Sequence, residues 1–71
     1  MFSGSICYVN ADKGFSFIRR DDSEADVFLH HAALARCGIP SVAIGNRVEF
    51  NIRESHKRPG RYEATDIRLA R

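Results

Sequence analysis

The strongest constraint on this chain is its division into short segments, rich in β-branched and aromatic side chains, punctuated by Gly4, Gly14, Gly38, Pro40, Gly45, Pro59 and Gly60. Segments of this kind read as strands. Phe2 to Asn10 forms the first and ends in the turn-like Asn10-Ala11-Asp12-Lys13-Gly14. Phe15 to Arg19 and Asp26 to His30 follow, separated by a polar loop from Asp21 to Ala25. His31 to Arg36 has room for one helical turn before Gly38. Arg47 to Arg53 alternates most cleanly, setting Val48, Phe50 and Ile52 against Glu49, Asn51 and Arg53. After a basic turn from Ser55 to Gly60, Arg61 to Leu69 makes a fifth strand, in which Thr65, Ile67 and Leu69 are expected to oppose Ala64, Asp66 and Arg68.

Short strands and almost no helix specify an all-β fold. A flat five-stranded sheet would leave two open edges and one uncovered apolar face, and closure into a barrel removes both problems. The expected architecture is a five-stranded OB-type barrel, a single domain over residues 1–71. A domain of this size buries only about 60% of the surface its unfolded chain exposes. It has little room for an internal active site, so function is expected on the surface.

Eleven Lys and Arg face nine Asp and Glu, and only two of the eleven are lysines. Acid gathers at Asp21, Asp22, Glu24 and Asp26; base gathers at Lys57, Arg58 and Arg61, with Lys13, Arg19 and Arg20 nearer the start. Arginine suits phosphate through its planar fork. The opening residues carry no apolar run of signal-peptide type, and no stretch approaches a membrane span. A reducing cytoplasm is the expected setting, with Cys7 and Cys37 as free thiols. Cys7, Cys37, His30, His31 and His56 show no zinc-type spacing. Asp26 and His30 lie in no evident cleft, so neither metal, cofactor nor enzymatic activity is expected.

The face pattern of the second and third strands is the functional signal. Phe15 and Phe17 share a face opposite Ser16 and Ile18; Phe28 and His30 share a face opposite Val27 and Leu29. One set must fill the barrel. If the rings did so, Ile18, Val27 and Leu29 would be left in water and His30 would be buried among phenylalanines. The rings are therefore expected to face outward. An outward apolar patch signals a partner. Rings with cations beside them suit single-stranded nucleic acid, whose bases stack while its phosphates follow the charge.

The stretch Gly4-Ser5-Ile6-Cys7-Tyr8-Val9-Asn10-Ala11-Asp12-Lys13-Gly14-Phe15-Ser16-Phe17-Ile18 resembles the cold-shock domain opening G-x-V-K-W-F-N-x-x-K-G-F-G-F-I. Asp26-Val27-Phe28-Leu29-His30 is similar to the family's D-V-F-V-H, Gly45 to Phe50 to its G-x-x-V-x-F, and Ala64 to Ile67 to its A-x-N-V. The resemblance covers nearly the whole chain. It implies a five-stranded antiparallel OB barrel that binds single-stranded RNA or DNA and acts as an RNA chaperone or a regulator of transcription and gene expression. The contacts it implies are Tyr8, Lys13, Phe15, Phe17, Phe28 and His30.

Departures from the family pattern bear on affinity. Tyr8 stands for a tryptophan, Cys7 for a lysine, Val9 for a phenylalanine and Ser16 for a glycine. His31 replaces an aromatic residue and is expected to stack in its place. Ile39 and Pro40 occupy a loop where many members expose a further phenylalanine. At about 1–3 kcal/mol per stacked base, these changes predict a weaker binder than a typical member, with the basic turn around Lys57, Arg58 and Arg61 offsetting part of the loss. Strict alternation also puts Ile6 and Tyr8 on one face, and a bulge is needed to separate them. The rival function is a protein-interaction or self-association module with little nucleic-acid affinity; a monomer or weak homodimer suits either.

Overall fold

The computed structural model describes residues 1–22, 26–55 and 60–70. Lys57, Arg58 and His56 lie outside the described residues. The elements follow in order: β1 (Phe2–Asn10), β2 (Phe15–Arg20), β3 (Asp26–His30), α1 (His31–Arg36), β4 (Arg47–Glu54) and β5 (Tyr62–Leu69). The strands close into a barrel in the order β1-β2-β3-β5-β4. Among the described residues no helix is long and apolar enough to cross a membrane.

One pairing departs from the all-antiparallel expectation: β3 and β5 run parallel, meeting at Phe28 and Glu63. The cause is topological. Successive strands reverse direction, and a ring with an odd number of alternating strands cannot close without one parallel pair. The remaining pairs are antiparallel.

The barrel is filled by Ile6, Ile18, Val27, Leu29, Val48, Phe50, Ala64 and Ile67, and α1 lays Ala33 and Leu34 against them. Full burial of an aliphatic or phenylalanine side chain contributes about 1.5–3 kcal/mol, so these few residues hold most of the fold. Ile39 also packs on the core, together with Val42 and Ile52. It reaches there through a Schellman closure of α1, with Ile39 N–H donating to Leu34 O at 2.9 Å and Gly38 N–H to Ala35 O at 3.2 Å. Gly38 takes the positive φ (75°) that this closure requires.

Two bulges set which side chains face in. On β1, Ile6 pairs with Ile18 but Tyr8 pairs with Phe17, so Cys7 is an extra residue. The bulge separates Ile6, 1% exposed, from Tyr8, 44% exposed. On β5, Glu49 faces Arg68 while Asn51 faces Thr65, so β5 spends three steps against two of β4. Asp66 sits in this second bulge at φ 47°. The alternation expected for β5 is corrected accordingly: Ala64 and Ile67, three residues apart, are both buried, and Leu69 is 51% exposed.

Candidate nucleic-acid interface

Pairing of β2 with β3 sets Phe15 across from His30 and Phe17 across from Phe28. Paired residues share a face, so the four rings form one block, while Ile18, Val27 and Leu29 behind them are 0–1% exposed. The β1 bulge swings Tyr8 onto the same block. Ring centroids lie 5.7 Å apart for Phe15–Phe17, 5.6 Å for Phe15–Phe28 and 5.8 Å for Phe17–Phe28. Tyr8 stands 5.9 Å from Phe15 and 6.1 Å from Phe17, and His30 stands 6.3 Å from Phe28. The three phenylalanines are half-buried, each braced by its neighbours with an outer edge in solvent. Such contacts fix ring orientation before any ligand arrives.

The β1–β2 turn holds the edge of the block. Asn10 Oδ1 accepts from the Lys13 backbone N–H at 3.0 Å, and Asn10 Nδ2 donates to Tyr8 Oη at 3.3 Å. Lys13 is exposed beside the rings. His30 ends β3 and caps α1: its Nδ1 accepts the Ala32 backbone N–H at 3.0 Å. A neutral His30 ring therefore carries its hydrogen on Nε2.

His31 is not brought to this block. Its Nε2 lies 3.2 Å from Oγ of Ser16, on the far side of β2 from the phenylalanines. Ser16 is 0% exposed and is the one buried polar residue among the described residues. Ile39, having turned into the core, also leaves the ring face without the loop aromatic of the family pattern.

The charge pattern is narrower than the sequence suggests. Arg19 pairs with Asp26, Arg20 with Asp22, Arg47 with Asp21, Arg53 with Glu63 and Arg68 with Glu49. Arg20 also stacks on Phe2, 4.4 Å from the ring centroid. The Arg47 guanidinium holds the Asp21 carboxyl below its ordinary range, and Arg20 does the same for Asp22. Arg19 and Arg20, part of the basic group near the start of the chain, are committed to these pairs. Among the described residues, Lys13, Arg36 and Arg61 have no carboxylate within salt-bridge distance.

Cys7 and Cys37 are both free thiols. Cys7 Sγ lies 3.5 Å from the Phe17 carbonyl oxygen and 3.8 Å from Asp26 Oδ1. Burial first, and the Asp26 charge second, push its pKa up, so it is a poor nucleophile. Among the described residues no group of three metal-ligating side chains converges.

The rings form one wall of a groove of about 950 Å³ that crosses β3 and continues to Arg36, Arg53, Arg61 and Tyr62. Arg36, Arg53 and Tyr62 join the site without any motif that marks them in the sequence. They reach it because β5 pairs parallel to β3 and because α1 folds over the barrel end. Neither relationship has a local signature.

The family model described as "'Cold-shock' DNA-binding domain" matches residues 2–70. The chain is 39% identical over 70 residues to Cold shock protein CspA of Rhizobium meliloti, covering 99% of this chain and 100% of that protein. It is 38% identical over 69 residues to a cold shock protein of Arthrobacter globiformis, covering 97% and 98%. It is 38% identical over 64 residues to Cold shock-like protein CspC of Escherichia coli, covering 90% and 93%.

Proposed function

The chain belongs to the cold-shock DNA-binding domain family, and on that premise we propose that it binds single-stranded RNA or DNA by stacking successive bases on Tyr8, Phe15, Phe17, Phe28 and His30. The observation that carries this reading is the ring block itself: five aromatic side chains in mutual contact outside a barrel whose interior is already filled. Stacking needs rings that are held but not covered: the three phenylalanines are half-buried, Tyr8 and His30 are exposed, and each ring lies against a neighbour. Each stacked base contributes about 1–3 kcal/mol with little regard to sequence. Lys13 meets the phosphates from the turn, and His30 offers Nε2–H to a base acceptor. His31 contributes through Ser16 instead of by stacking. The chain thus holds single strands open without turning anything over, which is the action of an RNA chaperone or of a regulator that keeps a transcript unpaired.

Titration of the purified chain with oligo-dT, oligo-dC and their RNA equivalents tests the reading. Fluorescence of Tyr8 and Tyr62 is expected to be quenched by single strands and unaffected by duplex of the same sequence. No quenching, together with a stable dimer on sizing, would replace this reading with self-association through the ring block.

A further inference from the structure

Arg36 and Arg53 line two hollows at once: the groove beside the rings and a smaller space of about 330 Å³ under α1. They come from different elements, the last turn of α1 and the C-terminal end of β4, and form the divide between the two spaces. Both side chains are available to an anion. Arg36 has no carboxylate in range among the described residues, and Arg53 bonds Glu63 Oε1 through Nε alone, at 2.8 Å. The acid in the smaller hollow, Asp66, is engaged by Asn51 Nδ2 at 3.2 Å. A guanidinium is the side chain best matched to a phosphodiester, because its planar donors meet two oxygens together. A strand whose bases lie on the rings must carry its phosphates off the ring face, and these arginines stand where the groove leaves it.

We propose that Arg36 and Arg53 are a phosphate-binding pair that carries a bound single strand off the ring face and over α1, extending the footprint beyond the stacked bases. The assignment rests on the nucleic-acid reading above. It also supplies backbone charge to a chain whose Cys7 stands where the family pattern has a lysine.

The test uses the full chain with oligo-dT of about four and about eight nucleotides, lengths within the range one such barrel covers. The unmodified chain binds the longer strand more tightly and with a steeper salt dependence. The double variant Arg36→Gln/Arg53→Gln makes the log–log salt slope for the longer strand shallower by about 1.4, about 0.7 for each lost contact. It removes most of the length advantage, weakening the longer strand's binding more than the short strand's. The Lys/Lys double variant keeps the slope. Arg36→Gln alone breaks no ion pair among the described residues and lowers the slope by about 0.7, so the assignment stays testable if loss of the Arg53–Glu63 pair unsettles the fold. A folded Gln double variant with the original slope and length dependence overturns the assignment alone. An unmodified chain that binds neither strand overturns both it and the reading beneath it.

Discussion

Ser16 and His31 are bonded to each other, Oγ to Nε2 at 3.2 Å, with the serine wholly enclosed. Both depart from the family pattern, Ser16 from a glycine and His31 from an aromatic residue, and the structure makes them one change. A buried hydroxyl needs a partner, and the histidine that supplies it is drawn away from the ring face. Ser16→Gly and His31→Phe are each expected to destabilise the fold. The double variant should recover about 0.5–1.5 kcal/mol relative to the sum, the net worth of a typical hydrogen bond. Urea midpoints of the four proteins measure this. The double variant should also bind oligonucleotide more tightly, through the added ring. Strict additivity would mean that the bond contributes nothing.

The phenylalanines divide by role. Phe50 is fully buried, and Phe50→Ala should cost about 3–5 kcal/mol of stability, enough to unfold a domain this small. Phe15→Ala, Phe17→Ala and Phe28→Ala should each cost less stability than Phe50→Ala, because these rings are only half-buried. Each should weaken oligonucleotide binding by about 1–3 kcal/mol. Chemical denaturation and fluorescence titration separate the two effects. Loss of folding in the ring variants, or unchanged binding, would make the block a structural element.

How far the sequence carried this depends on the range of the signal. The ring block was legible because it rests on parity within β2 and β3, where each side chain's face is decided two residues away. The Cys7 bulge was legible as a contradiction: Ile6 and Tyr8 could not both keep strict alternation. The Asp66 bulge produced no such contradiction, since Thr65, Ile67 and Leu69 alternate acceptably as a string, and it shows only where Thr65 meets Asn51. The parallel β3–β5 contact and the placing of Arg36 and Tyr62 along the groove depend on how distant segments meet, which no local pattern encodes. The pairing of Arg19 and Arg20 with acids was hidden for the same reason.

Asp66 carries a left-handed backbone, φ 47°, at the point where β5 gains its extra residue. Aspartate and asparagine tolerate this region and β-branched residues do not. Asp66→Asn should leave stability within about 0.5 kcal/mol, consistent with the asparagine of the A-x-N-V pattern at this place. Asp66→Val should lose about 1–3 kcal/mol, the cost of forcing such a side chain into a sparse region. Thermal denaturation of the two variants is the check, and equal stabilities would show that the bulge is not constrained there.

Gly4 lies between β2 and β4, paired with Arg20 on one side and Val48 on the other. A methyl group there would run into the Arg19 carbonyl oxygen and stand 2.9 Å from Ile18 Cγ2. The obstacle is backbone, which cannot swing aside. Gly4→Ala is expected to cost about 1–3 kcal/mol through overpacking without altering the binding of the fraction that folds. A denaturation midpoint equal to that of the original chain would show that β1 and β2 can part without penalty.

Acid should weaken the barrel through the connection that follows β2. Arg47 donates to both Asp21 carboxylate oxygens, one at 2.7 Å, and Arg20 grips Asp22 with two bonds of 2.9 Å. Both carboxyls are held below their ordinary range, so the folded chain gives up these protons more readily than the unfolded one. By linkage, the stabilisation is present above the unfolded carboxylate pKa, about 3.9, and is lost as pH falls through the lower folded values. The pairs are solvent-exposed, so the effect is modest and salt weakens it. Urea midpoints between about pH 5 and pH 2, spanning the window in which a paired Asp takes up its proton, should fall for the original chain. They should fall less steeply for Asp21→Asn, which has no proton to take up at that position. An identical fall in the two proteins would place the acid sensitivity in other carboxylates.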